Sequence, residues 1–378
     1  MNIVRKTIVY GVYFFSSLFP RDKNRFIYIG WHKNSSGEVF ADNTKYLFLY
    51  ANKHSQNQKH IWLAKSKILA TKLVSSGLHS SYEFSLQGVW HMLRAKYFVI
   101  DALFQPQHFM FSGRAKIIQL LHGKGMKKKG YSEAQLKKQD FIFGTSQYSL
   151  SLLPESFIKG SKLFVTGYPR NDILFSQIEK ADIDIDTDML SHLKKQKAKG
   201  KKNIFYAPTF RRGEKEALLK GLDMDKLVAW AKEKNVHVVL SLHNKYRNQQ
   251  DSHNLGEHIS SLKESDIYPL LCEFDLFVTD YSSSFIDFLL LDKPIIFYPF
   301  DFDTYSVNEG IIQDYFKMIP GPHATNFKQL LNIIEENLKQ DTWQEKRQIS
   351  KHKNHSFCDG NSAERVFKVI DSLETSRP

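Results

Sequence analysis

Short β-branched and aromatic runs recur along the chain, spaced so that a helix fits between each pair. The first series is Phe26-Ile27-Tyr28-Ile29, Ile61-Trp62-Leu63, Tyr97-Phe98-Val99-Ile100, Ile117-Ile118-Gln119-Leu120-Leu121, Phe141-Ile142-Phe143 and Leu163-Phe164-Val165. A second series follows with Ile204-Phe205-Tyr206, Val236-His237-Val238-Val239-Leu240, Leu276-Phe277-Val278 and Ile295-Ile296-Phe297-Tyr298. Strands alternating with helices pair in parallel and are covered on both faces, so the pattern predicts two α/β lobes. Between the series lies Lys194-Lys195-Gln196-Lys197-Ala198-Lys199-Gly200-Lys201-Lys202, preceded by acidic residues over 182–188. That stretch reads either as a solvated helix end and loop or as a patch facing anions or a membrane. The expected division is an N-terminal segment over 1–24, a first lobe over 25–175, a second over 176–350, and a closing helix over 351–378 that can return to the first lobe.

Composition narrows the classes. A chain of 378 residues is long enough for two domains, each burying its own core. With 42% hydrophobic and 13% aromatic residues it is globular, not disordered. A formal charge of +13 calls for anionic company: nucleic acid, an anionic bilayer or phosphorylated substrates. Most aromatics fall in strand and helix patterns, whereas single-strand recognition couples basic grooves to exposed rings, which argues against nucleic acid. Cys272 and Cys358 are the only cysteines and have no metal-ligand spacing; His32, His352 and His355 are scattered. Neither a disulfide framework nor a metal site is expected, and a reducing, cytoplasmic setting is favoured. Arg5 and Lys6 precede an uncharged apolar and aromatic stretch of 13 residues over 7–19, short of the ~20 that span a bilayer. No small-residue cleavage site follows. The stretch is expected either to lie on an anionic membrane surface or to pack against the body.

Candidate chemistry gathers where strands feed loops. His122 ends a strand and opens Leu121-His122-Gly123-Lys124-Gly125-Met126-Lys127-Lys128-Lys129-Gly130, so an imidazole base would sit beside glycine amides and lysines. His243 holds the equivalent place after the 236–242 run and can donate to a phosphate oxygen of a leaving group. Arg170 in Thr166-Gly167-Tyr168-Pro169-Arg170-Asn171-Asp172 and Arg211 in Tyr206-Ala207-Pro208-Thr209-Phe210-Arg211-Arg212 follow strand-then-proline loops. Each can aim a guanidinium at a phosphate or pair with a carboxylate, such as Asp172 for Arg170. Ser282, Ser283 and Ser284 follow Asp280 and precede a buried helix over 285–291; their hydroxyls suit a diphosphate, or one of them is an ordinary N-cap. Lys127, Lys128 and Lys129 read as a solvated face that raises the local positive potential.

Taken together these segments resemble the CDP-glycerol glycerophosphotransferase family, which includes the primases and polymerases of teichoic-acid and related capsular polymer synthesis. The resemblance runs from Asp42-Asn43-Thr44-Lys45-Tyr46-Leu47 to Phe357-Cys358-Asp359-Gly360-Asn361-Ser362-Ala363-Glu364-Arg365, with Ile319-Pro320-Gly321-Pro322 as a further match. It implies a GT-B-like α/β fold, two Rossmann-type lobes with parallel sheets facing a central cleft. It also implies transfer of a polyol phosphate from a CDP-activated donor to a hydroxyl of a lipid-linked saccharide or growing polymer, at the cytoplasmic face of the membrane. On that likeness His122 is the base, His243 a second essential histidine, and Ser282, Ser283 and Asp287 belong to the donor site, with Arg170, Thr209, Arg211, Asp280 and Ser284 beside them. Asn43, Gly123, Lys124 and Lys127 are the candidates on the acceptor side. The family's usual His-Gly-Thr-Pro is replaced here by His122-Gly123-Lys124-Gly125, a looser and more positive loop.

The expected reaction is attack of an acceptor hydroxyl on the β-phosphorus of CDP-glycerol with loss of CMP, without a tightly bound cofactor; Mg²⁺ can accompany the donor. The chain has no room for the large extra N-terminal domain of some polymerases, so adding one or a few units is as well matched as building a long polymer. CDP-ribitol as donor, a GT-B glycosyltransferase using a nucleotide sugar, and a basic membrane or nucleic-acid scaffold are the competing readings.

Overall fold

The structure is a computed structural model. It describes the chain apart from residues 1–2, 32, 35–36, 56, 124–125, 127–137, 210, 212–220, 242–256, 264, 312–313 and 376–378. The chain forms two compact units: Met1–His122, Tyr131–Asp184 and His355–Pro378 in the first, Gly123–Gly130 and Ile185–Asn354 in the second.

The first unit is built on a seven-stranded parallel sheet, β5-β4-β1-β6-β7-β8-β9, with strands β1 (Asp22–Ile29), β4 (Lys59–Ala64), β5 (Ser80–Tyr82), β6 (Ala95–Ile100), β7 (Lys116–Gln119), β8 (Phe141–Gly144) and β9 (Lys162–Val165). A two-residue antiparallel ribbon, β2 (Lys33–Asn34) with β3 (Gly37–Glu38), stands apart. Successive side chains of a strand point to opposite faces, and here both faces are covered. Phe26, Tyr28, Trp62, Tyr97 and Val99 enter one core cluster, while Ile27, Ile29, Leu63, Phe98 and Ile100 enter another. The helix Ser362–Thr375 contributes Ala363, Val366 and Ile370 to the first of these. Its start is held by Asp172, whose carboxylate accepts the Ser362 and Ala363 backbone N–H groups at 2.9 and 2.7 Å.

The helix Ile3–Ser16 packs by one stripe: Val9 is buried, and Tyr13 stacks on Phe109 at 4.4 Å with rings 2° apart. Arg21 ties its end down, donating to the carbonyls of Ser16 at 2.9 Å, Met92 at 2.7 Å and Phe111 at 3.2 Å. The approach is so close at Gly113 (φ +36°) that a Cβ would lie 2.7 Å from the Ser16 carbonyl oxygen. The same segment leaves Ile8, Phe14, Phe15 and Leu18 more than half exposed. Among the described residues no helix is long and apolar enough to cross a membrane.

The second unit carries a five-stranded parallel sheet, β12-β11-β10-β13-β14, with β10 (Lys202–Tyr206), β11 (Val236–Leu240), β12 (Ile259–Ser261), β13 (Leu276–Thr279) and β14 (Ile295–Phe297). Helices Met224–Glu233 and Phe327–Lys339 supply Leu227, Trp230, Leu330 and Ile334 to its core. Three local features differ from the sequence expectation. Strands β5 and β12, both serine-containing edges, carry too little apolar signal to be read. The 117–121 run stops pairing at Gln119, and Leu121 turns into the left-handed region at φ +60°. The helix expected over 285–291 is Ser284–Phe288 followed by a 3₁₀ turn, Leu289–Leu291.

Both sheets reverse their strand order at one point. In the first unit the chain builds outward from β1 to β4 and β5, then restarts beside β1 with β6; in the second it builds from β10 to β11 and β12, then restarts beside β10 with β13. Such switch points open a crevice at the carboxyl ends of the strands, where ligands of open α/β sheets bind.

Candidate active site

In the first unit the loops after β1, β6 and β7 carry Trp31, Asp101 and His122. The His122 Nδ1 lies 2.9 Å from the Asp101 backbone carbonyl. A carbonyl only accepts, so Nδ1 is the protonated nitrogen and Nε2 carries the lone pair, the tautomer a general base requires. Asp101 is fixed in turn, its Oδ2 accepting the Thr44 hydroxyl at 2.6 Å and the Thr44 N–H at 3.2 Å. The strained Leu121 before the histidine is braced by Asn43, whose Nδ2 donates to the Leu121 carbonyl at 2.8 Å.

Arg170 closes the arrangement from the loop after β9. Its Nη1 pairs with Asp42 Oδ1 at 2.6 Å, both side chains being buried, and its Nη2 donates to the His122 carbonyl at 3.1 Å. Its backbone N–H donates to Asn43 Oδ1 at 3.1 Å. Asp42, itself left-handed at φ +68°, also accepts the Trp31 indole N–H at 2.9 Å and the Asn43 N–H at 2.7 Å. The Trp31 ring stands 5.1 Å from the His122 imidazole, centroid to centroid.

In the second unit the switch point holds the loops after β10 and β13. Asp280 Oδ1 accepts the Thr209 N–H at 2.8 Å, the Thr209 hydroxyl at 2.5 Å and the Tyr281 N–H at 2.5 Å. Arg211, buried, forms a two-pronged pair with Asp301 at 2.7 and 2.9 Å and lies 2.8 Å from Asp280 Oδ2. Its guanidinium sits 4.6 Å from the Tyr305 ring and 5.2 Å from that of Tyr281. Burial works against the Arg211 charge, but Asp280 and Asp301 outweigh it and raise its pKa. Burial, together with Asp301 and Asp280, raises the Tyr281 phenol far above its ordinary value, so its hydroxyl stays a donor, here to Asp301 at 3.1 Å.

Ser282, Ser283 and Ser284 follow, all half-buried. Ser283 occupies the N-cap position but its side chain makes no capping bond. The Ser282 and Ser284 hydroxyls lie 2.8 Å apart, and Ser282 Oγ accepts the Ser284 N–H at 3.3 Å. Asp287, buried on the following helix, accepts the Tyr268 hydroxyl at 2.8 Å.

The structure thus brings together His122, Arg170 and Asn43 in the first unit, and Thr209, Arg211, Asp280, Ser282, Ser283, Ser284 and Asp287 in the second. Gly123, at φ +96°, groups with the second unit. His243, Lys124 and Lys127 lie outside the described residues; Ser241 is the last described residue before 242–256. Both arginines are engaged with carboxylates. The partner of Arg170 is Asp42, not Asp172, which serves the helix Ser362–Thr375 instead. Sequence reasoning passed over Trp31, Asp42, Asp101 and Asp301. Asp101 directly follows the Tyr97-Phe98-Val99-Ile100 run, a strand-end position that could have flagged it. Among the described residues no group of three or more His, Cys, Asp or Glu side chains is arranged to hold a metal ion.

A family model described as CDP-Glycerol:Poly(glycerophosphate) glycerophosphotransferase matches residues 12–372. The chain is 27% identical over 402 residues to a teichoic acid glycerol-phosphate transferase of Staphylococcus aureus, an alignment covering 98% of this chain and 99% of that one. It is 25% identical over 308 residues to a teichoic acid glycerol-phosphate primase of Bacillus subtilis, covering 75% and 77%. Among solved structures, the wall teichoic acid polymerase TagF matches with a TM-score of 0.74 at 20% identity, covering 99% of this chain and 94% of that one. A putative UDP-N-acetylglucosamine 2-epimerase from Listeria monocytogenes matches with a TM-score of 0.58 at 13% identity, covering 94% and 98%. These structural likenesses speak to the fold, which is GT-B-like.

Proposed function

This chain belongs to the CDP-glycerol:poly(glycerophosphate) glycerophosphotransferase family, and from that premise we propose that it transfers glycerol phosphate from CDP-glycerol to a hydroxyl of a lipid-linked saccharide or polyol-phosphate acceptor, releasing CMP. The setting is teichoic-acid-like or capsular polymer synthesis. The acceptor oxygen attacks the β-phosphorus; a new P–O bond forms as the bond to the bridging oxygen breaks, and CMP departs with that electron pair. His122 takes the acceptor proton on Nε2, a step worth ~10²- to 10⁴-fold in rate. The observation that carries this reading is the Nδ1 bond to the Asp101 carbonyl at 2.9 Å, which fixes the tautomer.

Ser282, Ser283 and Ser284 bind the donor phosphates on a loop shaped by Thr209, Asp280 and Asp287, and His243 donates to the departing CMP. Arg170 and Arg211 act by holding these loops, since each guanidinium is already bonded to carboxylates of its own unit. Mg²⁺ enters, where it does, with the donor. The likeness over nearly the whole chain to the S. aureus teichoic acid glycerol-phosphate transferase favours glycerol over ribitol. The exposed Ile8, Phe14, Phe15 and Leu18, with the charge of +13, support peripheral attachment to an anionic cytoplasmic membrane face.

The test is a donor panel of CDP-glycerol, CDP-ribitol and nucleotide sugars with a saccharide-ended acceptor analogue. Acceptor-dependent release of CMP from CDP-glycerol is the expected result. Turnover of CDP-ribitol alone shifts the donor, and turnover of a nucleotide sugar alone replaces the reaction by glycosyl transfer.

A further inference from the structure

Trp31 is a large apolar side chain at a polar switch point. It follows β1, whose carboxyl end borders the crevice beside β6, and it stays 40% exposed while the strand residues before it are buried. Its position is nevertheless fixed. The indole N–H donates at 2.9 Å to Asp42, a carboxylate 2% exposed and paired with Arg170. The ring lies 5.1 Å from the His122 imidazole and is inclined to it by 41°. The chain therefore holds an indole, partly open to solvent, next to the base that takes the acceptor proton.

We propose that Trp31 is the platform on which a pyranose ring at the end of the acceptor stacks, so that one of its rim hydroxyls meets His122. This rests on the transfer reaction proposed above and names its acceptor class. A pyranose chair presents a rigid face of C–H groups with hydroxyls around its edge. That face complements the flat apolar body of an indole, and the edge is left for hydrogen bonding. A flexible polyol-phosphate chain offers no such face, and its negative charge has no use for an apolar ring. Fixing the platform through Asp42 also ties it to the same buried pair that holds the His122 carbonyl, so acceptor seat and base keep a constant separation.

The experiment compares Trp31→Ala, Trp31→Leu and Trp31→Phe with the unaltered chain, using CDP-glycerol and two soluble short-chain acceptors, one ended by a pyranose and one by glycerol phosphate. Trp31→Ala and Trp31→Leu should raise KM for the pyranose-ended acceptor on the order of tenfold, with less effect on the other acceptor, while kcat keeps the shape of its pH profile. Trp31→Phe, which retains a flat ring, should recover most of the loss. The leucine variant keeps apolar bulk, so it reads the ring even if the alanine variant folds poorly. An unchanged acceptor KM, an equal loss with both acceptors, or a shifted pH profile without a KM change would overturn the platform and leave Trp31 as packing for His122. No CMP release by the unaltered chain with either acceptor would overturn the transfer reaction itself, and the platform with it.

Discussion

The buried pair of Asp42 and Arg170 offers the sharpest prediction. The two side chains meet at 2.6 Å, 2% and 4% exposed. Removing one partner of such a pair leaves a charge without its counter-charge in a low-dielectric interior, at about 3–5 kcal/mol. Asp42→Ala should reach that range, because the buried Arg170 guanidinium then loses its counter-charge. Arg170→Met should fall at its lower end, since the Asp42 carboxylate retains the Trp31 and Asn43 N–H donors. The double variant removes both charges, so its loss should fall short of the sum by about 2–3 kcal/mol. Urea unfolding of the four proteins gives the cycle, provided the slope m is unchanged. Arg170→Met should also lower turnover, as a displacement of ~1 Å at a reacting group can cost ~10²-fold. Additivity within ~0.5 kcal/mol, or full turnover in Arg170→Met, would refute the idea that this pair holds the His122 loop.

Three further expectations follow from the same geometry. Replacing Ser282 and Ser283 together by alanine should weaken CDP-glycerol binding by about 0.5–3 kcal/mol per lost bond to the diphosphate, and calorimetry showing unchanged affinity would reduce them to loop structure. Burial pushes the Asp172 carboxyl up to about 6, against the Ala363 and Ser362 N–H groups that lower it. The folded chain thus holds this proton to higher pH than the unfolded chain does, so the contribution is fullest below the ordinary 3.8 and is lost as pH rises through 6. Asp172→Asn should flatten that part of the stability curve in urea titrations from acid to neutral pH, and an unaltered slope would contradict it. Because Val9 and Tyr13 pack against the body, the membrane is best tested by Phe14→Ser with Phe15→Ser and Leu18→Ser; sedimentation with anionic vesicles at low salt should fall, and equal sedimentation would place the contact elsewhere.

Most strands were legible because both of their faces are buried; β9, an edge strand with Leu163 exposed, was read from its apolar run alone. In β1, Phe26 and Tyr28 go to one core and Ile27 to the other, so consecutive positions are all apolar. Strands β5 and β12 were not, since edge position and serine content remove that signal. The loop residues announced themselves as chemistry: His122, the serines after Asp280, and the two arginines. Their partners did not. Asp42 is 128 residues from Arg170, and Asp301 is 90 residues from Arg211, separations that leave no spacing signature. Asp172 looked like the partner of Arg170 by proximity along the chain, yet it caps a helix start 190 residues later. Such pairings are set by which loops the fold gathers at the carboxyl ends of a sheet, here across intervening strands: β6, β7 and β8 stand between β1 and β9, and β13 between β10 and β14.

The most direct test of the central claim follows the phosphorus. With CDP-glycerol and a pyranose-ended acceptor, ³¹P NMR should show the diphosphate signals replaced one for one by CMP and a new phosphodiester on the acceptor, with His122→Ala slowed by ~10²-fold or more. Glycerol phosphate appearing as a free monoester, or His122→Ala working at the rate of the unaltered chain, would contradict transfer with His122 as the base.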